Sequence, residues 1–180
     1  LLLLAVAAAG CHRGPRTAEA AYVALERAVA ADDAAGFYQL LDDETRWSIE
    51  SVLHDQKLMR TIIAAKYPEG EADKALAPLA AADERDAAQY FARLDGDRHV
   101  VSGYRRRLGA VSGPIKTKPD GDDNAWVARA DGMPFHFHRD RGGWGFSELA
   151  AEWTLEKDRT IHALHTVQDN AKLYKKAEQQ

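Results

Sequence analysis

The sequence predicts an α+β fold: N-terminal helices, a small antiparallel β-meander, and a long C-terminal helix. Three observations carry that expectation. Up to Leu94 the apolar residues recur at spacings of three and four, the helical period. Between Ala125 and Phe146 they alternate every second residue and are bounded by turn signals, as in strands. From Ser147 to about Lys176 the helical spacing returns with no Gly or Pro. Helices grouped ahead of strands indicate α+β rather than an alternating α/β sheet.

Each element has its own local reasons. Thr17 is placed to cap a helix over 18–31, with Glu19 in the first turn, where the helix dipole favours an acid. Tyr22, Leu25 and Val29 form its apolar stripe. Asp32 or Asp33 caps a short second helix carrying Phe37, Leu40 and Leu41. Asp42-Asp43-Glu44-Thr45 opens a longer helix that runs to Lys66, where Tyr67-Pro68 stops it. Its apolar positions are Trp47, Ile49, Val52, Leu53, Met59, Ile62 and Ile63. Capping and the dipole account for the acids of its first turn without any catalytic pairing. Residues 69–82, Ala-rich around Pro78, read as a loose helical connection. Asp83 starts a further helix, with Ala87, Tyr90, Phe91 and Leu94 on one face and Gly96 at its end.

Helical character is expected to cease near His99, because Gly103, Gly109 and Gly113 interrupt the chain beyond it. Pro119 to Asn124 is a turn, and Ala125–Ala130 is a strand around Trp126 and Val127. Asp131-Gly132 joins it to Met133–His138, with Phe135 and Phe137 on one face and His136 and His138 on the other. After the turn at Arg141-Gly142-Gly143, Trp144-Gly145-Phe146 continues the aromatic alternation. Ser147 caps the last helix, whose Trp153, Ile161, Leu164, Val167, Ala171 and Tyr174 are expected to close over the aromatic face of the sheet.

Residues 1–11 have a different character. Nine apolar residues precede Gly10 and Cys11, the one cysteine of the chain, and the linker-like His12-Arg13-Gly14-Pro15-Arg16 comes next. The run is far shorter than the roughly 20 residues a spanning helix needs, and it has no polar residue to face water on a globular helix. Ala8-Ala9-Gly10-Cys11 resembles the lipobox of bacterial lipoprotein signals, with Ala8 where Leu is more usual. The resemblance implies cleavage before Cys11 and a diacylglycerol on its sulfur, with a further acyl chain such as palmitate on the new α-amino group. Two or more chains hold a protein stably at a membrane surface. With neither Met nor a basic region ahead of it, residues 1–10 are expected to be a signal peptide truncated at its start. Residues 11–17 are then the lipidated N-terminus and linker, and 18–180 one folded domain. His12, not Asp, comes after the cysteine, so the resemblance implies the periplasmic face of the outer membrane.

Composition adds bounds. At 46% hydrophobic and 29% charged, the 180 residues suit a folded protein, and a net charge of −4 gives no case for nucleic-acid binding. Acylation of Cys11 would leave no thiol for a disulfide, a metal or catalysis. The opening AYVALERAVAADDAAGFYQLLDDETR is similar to the first helices of NTF2-like (cystatin-like) domains. That resemblance implies a helix pair before a curved sheet, with a pocket between them.

Several constellations compete with plainer readings. His136-x-His138 on a strand and His162-x-x-His165 on a helix each project to one side, as zinc or copper ligands do, but a four-coordinate site needs both pairs to converge. Asp120-x-Asp122-x-Asn124 begins like a calcium loop, yet Ala125 stands where the sharp turn requires glycine. Arg105-Arg106-Arg107, with Arg98 nearby, suits anionic headgroups or a solvated face. Ser48, Ser51, Ser102, Ser112 and Ser147 lie in no nucleophile motif, and no phosphate-binding glycine loop precedes a helix. The expectation is a non-catalytic, lipid-tethered binding or structural domain with no cofactor. It would be held at the membrane through acylated Cys11 and would meet an envelope protein partner. The alternative is an NTF2-like ligand carrier or enzyme with a pocket lined by Trp126, Phe135, Phe137, Trp144 and Phe146.

Overall fold

Residues 14–108 and 113–177 are described by a computed structural model, and Cys11 lies outside them. The chain is α+β. Helices α1 (Ala18–Ala31), α2 (Ala34–Gln39), α3 (Asp43–Lys66) and α4 (Glu69–Leu76) lead into a 3-10 helix, Ala77–Asp83. Helices α5 (Ala87–Arg98) and α6 (Val100–Leu108) come next. Strands β1 (Ile115–Pro119), β2 (Asn124–Arg129), β3 (Phe135–Asp140) and β4 (Gly143–Phe146) form an antiparallel meander, and α7 (Ala150–Ala177) comes last.

The early caps are those expected. Thr17 accepts from the Ala20 amide at 3.1 Å, Asp33 from Gly36 at 2.8 Å and Asp42 from Thr45 at 3.0 Å. Further along, three boundaries shift. Helix α5 is capped by Asp86, which accepts from the Gln89 amide, and not by Asp83. It runs through Gly96 and ends at His99, whose left-handed φ of 54° supplies the C-cap. Helical structure then resumes as α6, where none was expected. Val101, Tyr104 and Leu108 bury one face of it, and Asp95 accepts from the Val101 amide at 2.8 Å.

The inner face of the sheet carries Val127, Phe135, Phe137 and Phe146, all essentially buried. Helices α1 and α6, not α7, cover it. Tyr22 of α1 lies 6.0 Å from Phe135, and Tyr104 of α6 meets Phe146 edge-on at 5.1 Å. Phe37 bridges this layer to α5 by stacking on Phe91 at 5.9 Å. Arg129 of β2 grips Glu26 of α1 with two hydrogen bonds of 2.7 Å, pinning sheet to helix.

Helix α7 pairs instead with α3, and the two run parallel. Lys157 sits over Trp47 near their N-terminal ends (4.2 Å), and Tyr67 meets Tyr174 near their C-terminal ends (4.8 Å). Trp153 reaches the main core against Phe91. Leu164 packs with Met59 and Ile63 in a separate cluster. Ile161, expected in the core, is 36% exposed, and Trp47 is 57% exposed.

Both flanks of β4 are occupied. One is β3; along the other, Phe146 donates to Leu40 O and accepts from Asp42 N. Further along the same edge, Gly14 N donates to Gly142 O at 2.6 Å, and Trp144 N donates to Pro15 O at 2.9 Å. The segment just after the lipobox-like stretch is therefore clipped to the sheet.

Candidate functional site

Among the described residues no helix lies over the outer face of the sheet at β1–β3, and alternation decides what that face displays. Lys116 and Lys118 of β1, Trp126 and Ala128 of β2, and His136 and His138 of β3 point outward, opposite the buried Val127, Phe135 and Phe137. Register sets Lys118, Trp126 and His136 in one row across three strands. Trp126, expected to line a pocket with the phenylalanines, is thus on the opposite side from them and is 37% exposed.

This row is held in place. The Trp126 indole donates to Asp120 at 3.1 Å, and its ring lies 4.7 Å from that of His136. The hydroxyl oxygen of Ser147 lies 3.2 Å from the His136 carbonyl and 2.7 Å from His136 Nδ1. The Ser147 hydroxyl can give its one proton to the carbonyl or to Nδ1, and the direction of the second contact follows the tautomer of the ring. His136 Nε2 faces outward, 3.8 Å from Asp120. Ser147 therefore orients the imidazole and does not cap α7.

Ser147, His136 and Asp120 look like a nucleophile, base and orienter brought together from three segments. The third link of that relay is not made. A nucleophilic serine needs its base oriented by a hydrogen-bonded carboxylate, whereas Asp120 stands 3.8 Å from His136 Nε2 and the same oxygen accepts from the Trp126 indole. What the arrangement offers is recognition: a ring face, the Asp120 carboxylate, the outward Nε2 edge of His136, and the ammonium groups of Lys116 and Lys118. Lys116, Thr117, Lys118, Trp126, Ala128 and Pro134 border a shallow hollow of about 430 Å³ beside them. The sequence pattern alone marks Asp120, Trp126 and Ser147 as turn, core and cap, which hides the site. Strand register was the signal that could have found it.

The other sequence candidates are dispersed. His138 bonds Asn124 at 3.0 Å, while His162 and His165 are exposed on α7. Among the described residues no group of three or more His, Cys, Asp or Glu side chains is placed to hold a metal. In the calcium-like turn, Asp120 holds Trp126, Asp123 holds Arg139 at 2.8 Å, and Asn124 holds His138.

The arginine run is divided three ways. Arg105 donates to Val29 O at the C-terminus of α1 and pairs with Asp32 at 3.1 Å. Arg107 pairs with Glu148 at 2.7 Å and lies over the Phe135 ring at 4.6 Å. Arg106 is exposed. An open groove of about 690 Å³ between α6 and α7 exposes Arg98, Arg107 and Arg159, but Arg98 and Arg159 face Glu156 at 3.6 and 3.9 Å. The Tyr104 hydroxyl, at its base, has its pKa pushed up to about 12 by burial.

At the start of α3, Asp42 is only 2% exposed, and burial raises its carboxyl above the usual range despite hydrogen bonds from Thr45. Among the described residues, no helix is long and apolar enough to cross a membrane. The chain matches no known protein family, no curated protein and no solved structure.

Proposed function

We propose that this chain is a bacterial envelope lipoprotein. In this reading it is a non-catalytic domain tethered through acylated Cys11 to the periplasmic face of the outer membrane, where it binds another envelope component. The observation that carries the reading is the Ala8-Ala9-Gly10-Cys11 junction between an apolar run and a polar linker. The open sheet face around Trp126 supports recognition at the surface. So does the interior, where the space an NTF2-like pocket would need, between α1, α6 and the sheet, is filled by Tyr22, Phe37, Tyr104, Phe135, Phe137 and Phe146. The opening helices remain the argument for the ligand-carrier alternative.

Mass spectrometry of the N-terminal peptide from native membranes tests the anchor. An acylated Cys11 with residues 1–10 removed is the expected result. A mature chain starting elsewhere, with an unmodified cysteine, refutes it. Density-gradient fractionation decides between outer and inner membrane.

A further inference from the structure

From the clip at Gly14 and Pro15 we infer that the protein lies on the lipid surface in one fixed pose. The tip of the β3–β4 hairpin, Arg141-Gly142, is held against the headgroups, while the paired C-terminal ends of α3 and α7 point away from the anchor. The inference rests on the lipoprotein reading and deepens it by naming the face that meets the bilayer.

The argument is one of chain length. Three residue steps separate Cys11 from Gly14, and an extended chain covers at most about 3.6 Å per step, so the tether reaches about 11 Å. The headgroup zone of one leaflet is itself about 5–8 Å deep. Gly14 has no slack beyond that reach, because its amide is bonded to Gly142 O and Pro15 O is bonded to the Trp144 amide. Flexible linkers let a domain tumble; this one ends on the sheet.

The residues at the crossing are fitted to it. Gly143 adopts φ +131°, and a Cβ there would lie 2.7 Å from Pro15 O and 2.9 Å from Gly14 C. A Cβ on Gly14 would lie 3.1 Å from Gly142 O. Backbones approach this closely only where side chains are missing on both sides.

The charge at this end fits apposition to headgroups without driving it. Asp140 accepts from Asp43 N at 2.7 Å and Gly142 N at 3.0 Å, while Asp43 pairs with Arg46 and Asp123 with Arg139. Arg16 and Arg141 are exposed and make no ion pair among the described residues, against exposed Glu44 and Asp122. The tether, not the charge, sets the pose. Helix α3 starts here, bonded to Asp140, and its 24 residues carry its far end on the order of 36 Å away at 1.5 Å per residue.

The test uses the lipidated full chain in phosphatidylethanolamine–phosphatidylglycerol vesicles carrying a headgroup quencher. A fluorophore is placed at Arg141→Cys or Leu173→Cys, since acylation blocks Cys11. Quenching at 141 is expected to exceed that at 173 severalfold. A ten-residue Gly/Ser insertion between His12 and Arg13, which leaves the fold untouched, should abolish the difference. Gly143→Val should do the same by displacing Gly14 and Pro15, and if that variant fails to fold the insertion carries the test alone. Equal quenching at both positions, or quenching at 141 that ignores the insertion, overturns the pose while leaving the anchor intact. Failure of the chain to sediment with vesicles overturns the anchor itself, and the pose with it.

Discussion

Gly145 and Gly96 show how the same substitution takes opposite signs at two positions. A Cβ on Gly145 would stand 2.5 Å from the Asp42 Cα, backbone that cannot move without shifting the start of α3. Gly145→Ala is therefore expected to destabilise by about 1–3 kcal/mol, the usual cost of overpacking. Gly96 lies inside α5 with nothing within 4 Å of the same position. Gly96→Ala should stabilise by up to about 1 kcal/mol, because alanine loses less backbone entropy on entering a helix. Urea melts of both variants check the pair, and matching signs would refute the assignment. Asp42 gives a pH-dependent counterpart. Burial raises its folded pKa above the unfolded value, so its contribution is fully present below the unfolded pKa and is lost as pH rises through the folded one. Asp42→Asn keeps an oxygen for the Thr45 amide and removes the buried charge. It should be more stable than the parent at neutral pH, with the gap closing as acid protonates Asp42. Asp42→Ala loses the cap and should cost about 0.5–2 kcal/mol. An Asn variant less stable at neutral pH would show that the carboxylate is needed in its charged form.

Among the elements, sequence is most legible where local chemistry is self-sufficient. Helix α1 was legible to the residue because Thr17 caps it and its stripe of Tyr22, Leu25 and Val29 is all buried. Strands β2 to β4 were legible from alternation and the two hairpin turns between them, whereas β1, Ile115–Pro119, was not, since its Ile-Lys-Thr-Lys-Pro run has almost no buried face to alternate. Helix α6 was not, since Val100, Val101 and Gly103 are poor helix formers and outweigh the three-then-four spacing of Val101, Tyr104 and Leu108. Burial against α1 and the sheet overrides that propensity. The partner of α7 was not legible either. An apolar stripe shows that a helix is covered but not by what, so the sheet's aromatic face and α3 are equivalent candidates in the sequence. At the candidate site, the outward direction of His136 was legible, while its neighbours Asp120 and Ser147 depended on register and on the turn before α7. The observed pairing changes what a core truncation in α7 should do. Leu164 contacts Met59 and Ile63 rather than the sheet. Leu164→Ala should fall near the low end of the ~2–5 kcal/mol range, because Met59 is flexible enough to fill part of the void. The near-ultraviolet dichroism of the main aromatic cluster should be preserved. Loss of that signal would mean that the two clusters are coupled tightly.

At the scale of the whole molecule, the described residues form two hydrophobic clusters of unequal size joined by a pair of parallel helices. The larger fills the space between α1, α2, α5, α6 and the sheet and takes in Ile49, Val52, Leu53 and Trp153 from α3 and α7. The smaller is formed by Met59, Ile63 and Leu164, with Tyr67, Leu76, Leu79 and Val167 packed around it. Helix α4 buries no residue of its own, and the adjoining 3-10 helix buries only Ala82. A cluster with so little apolar area has less to offset the backbone entropy of its segments, so it should open before the rest. Specific tethers hold it: Arg60 donates to Leu79 O at 3.1 Å and pairs with Asp83, and Tyr67 donates to Val167 O at 3.2 Å. Native-state hydrogen exchange should therefore resolve two levels. Amides of 60–66 and 166–175 should exchange through a partial opening of lower free energy than the global transition, while those of 21–29 and 135–139 should require complete unfolding. Tyr67→Phe, which removes the bond to Val167 but keeps the ring against Tyr174, should lower only the first level, by about 0.5–1.5 kcal/mol. One common free energy across all four segments would make the helix pair part of a single cooperative unit. Two levels would make its outer half the portion of the molecule able to rearrange without disturbing the sheet, its Trp126 face, or the clip at Gly14.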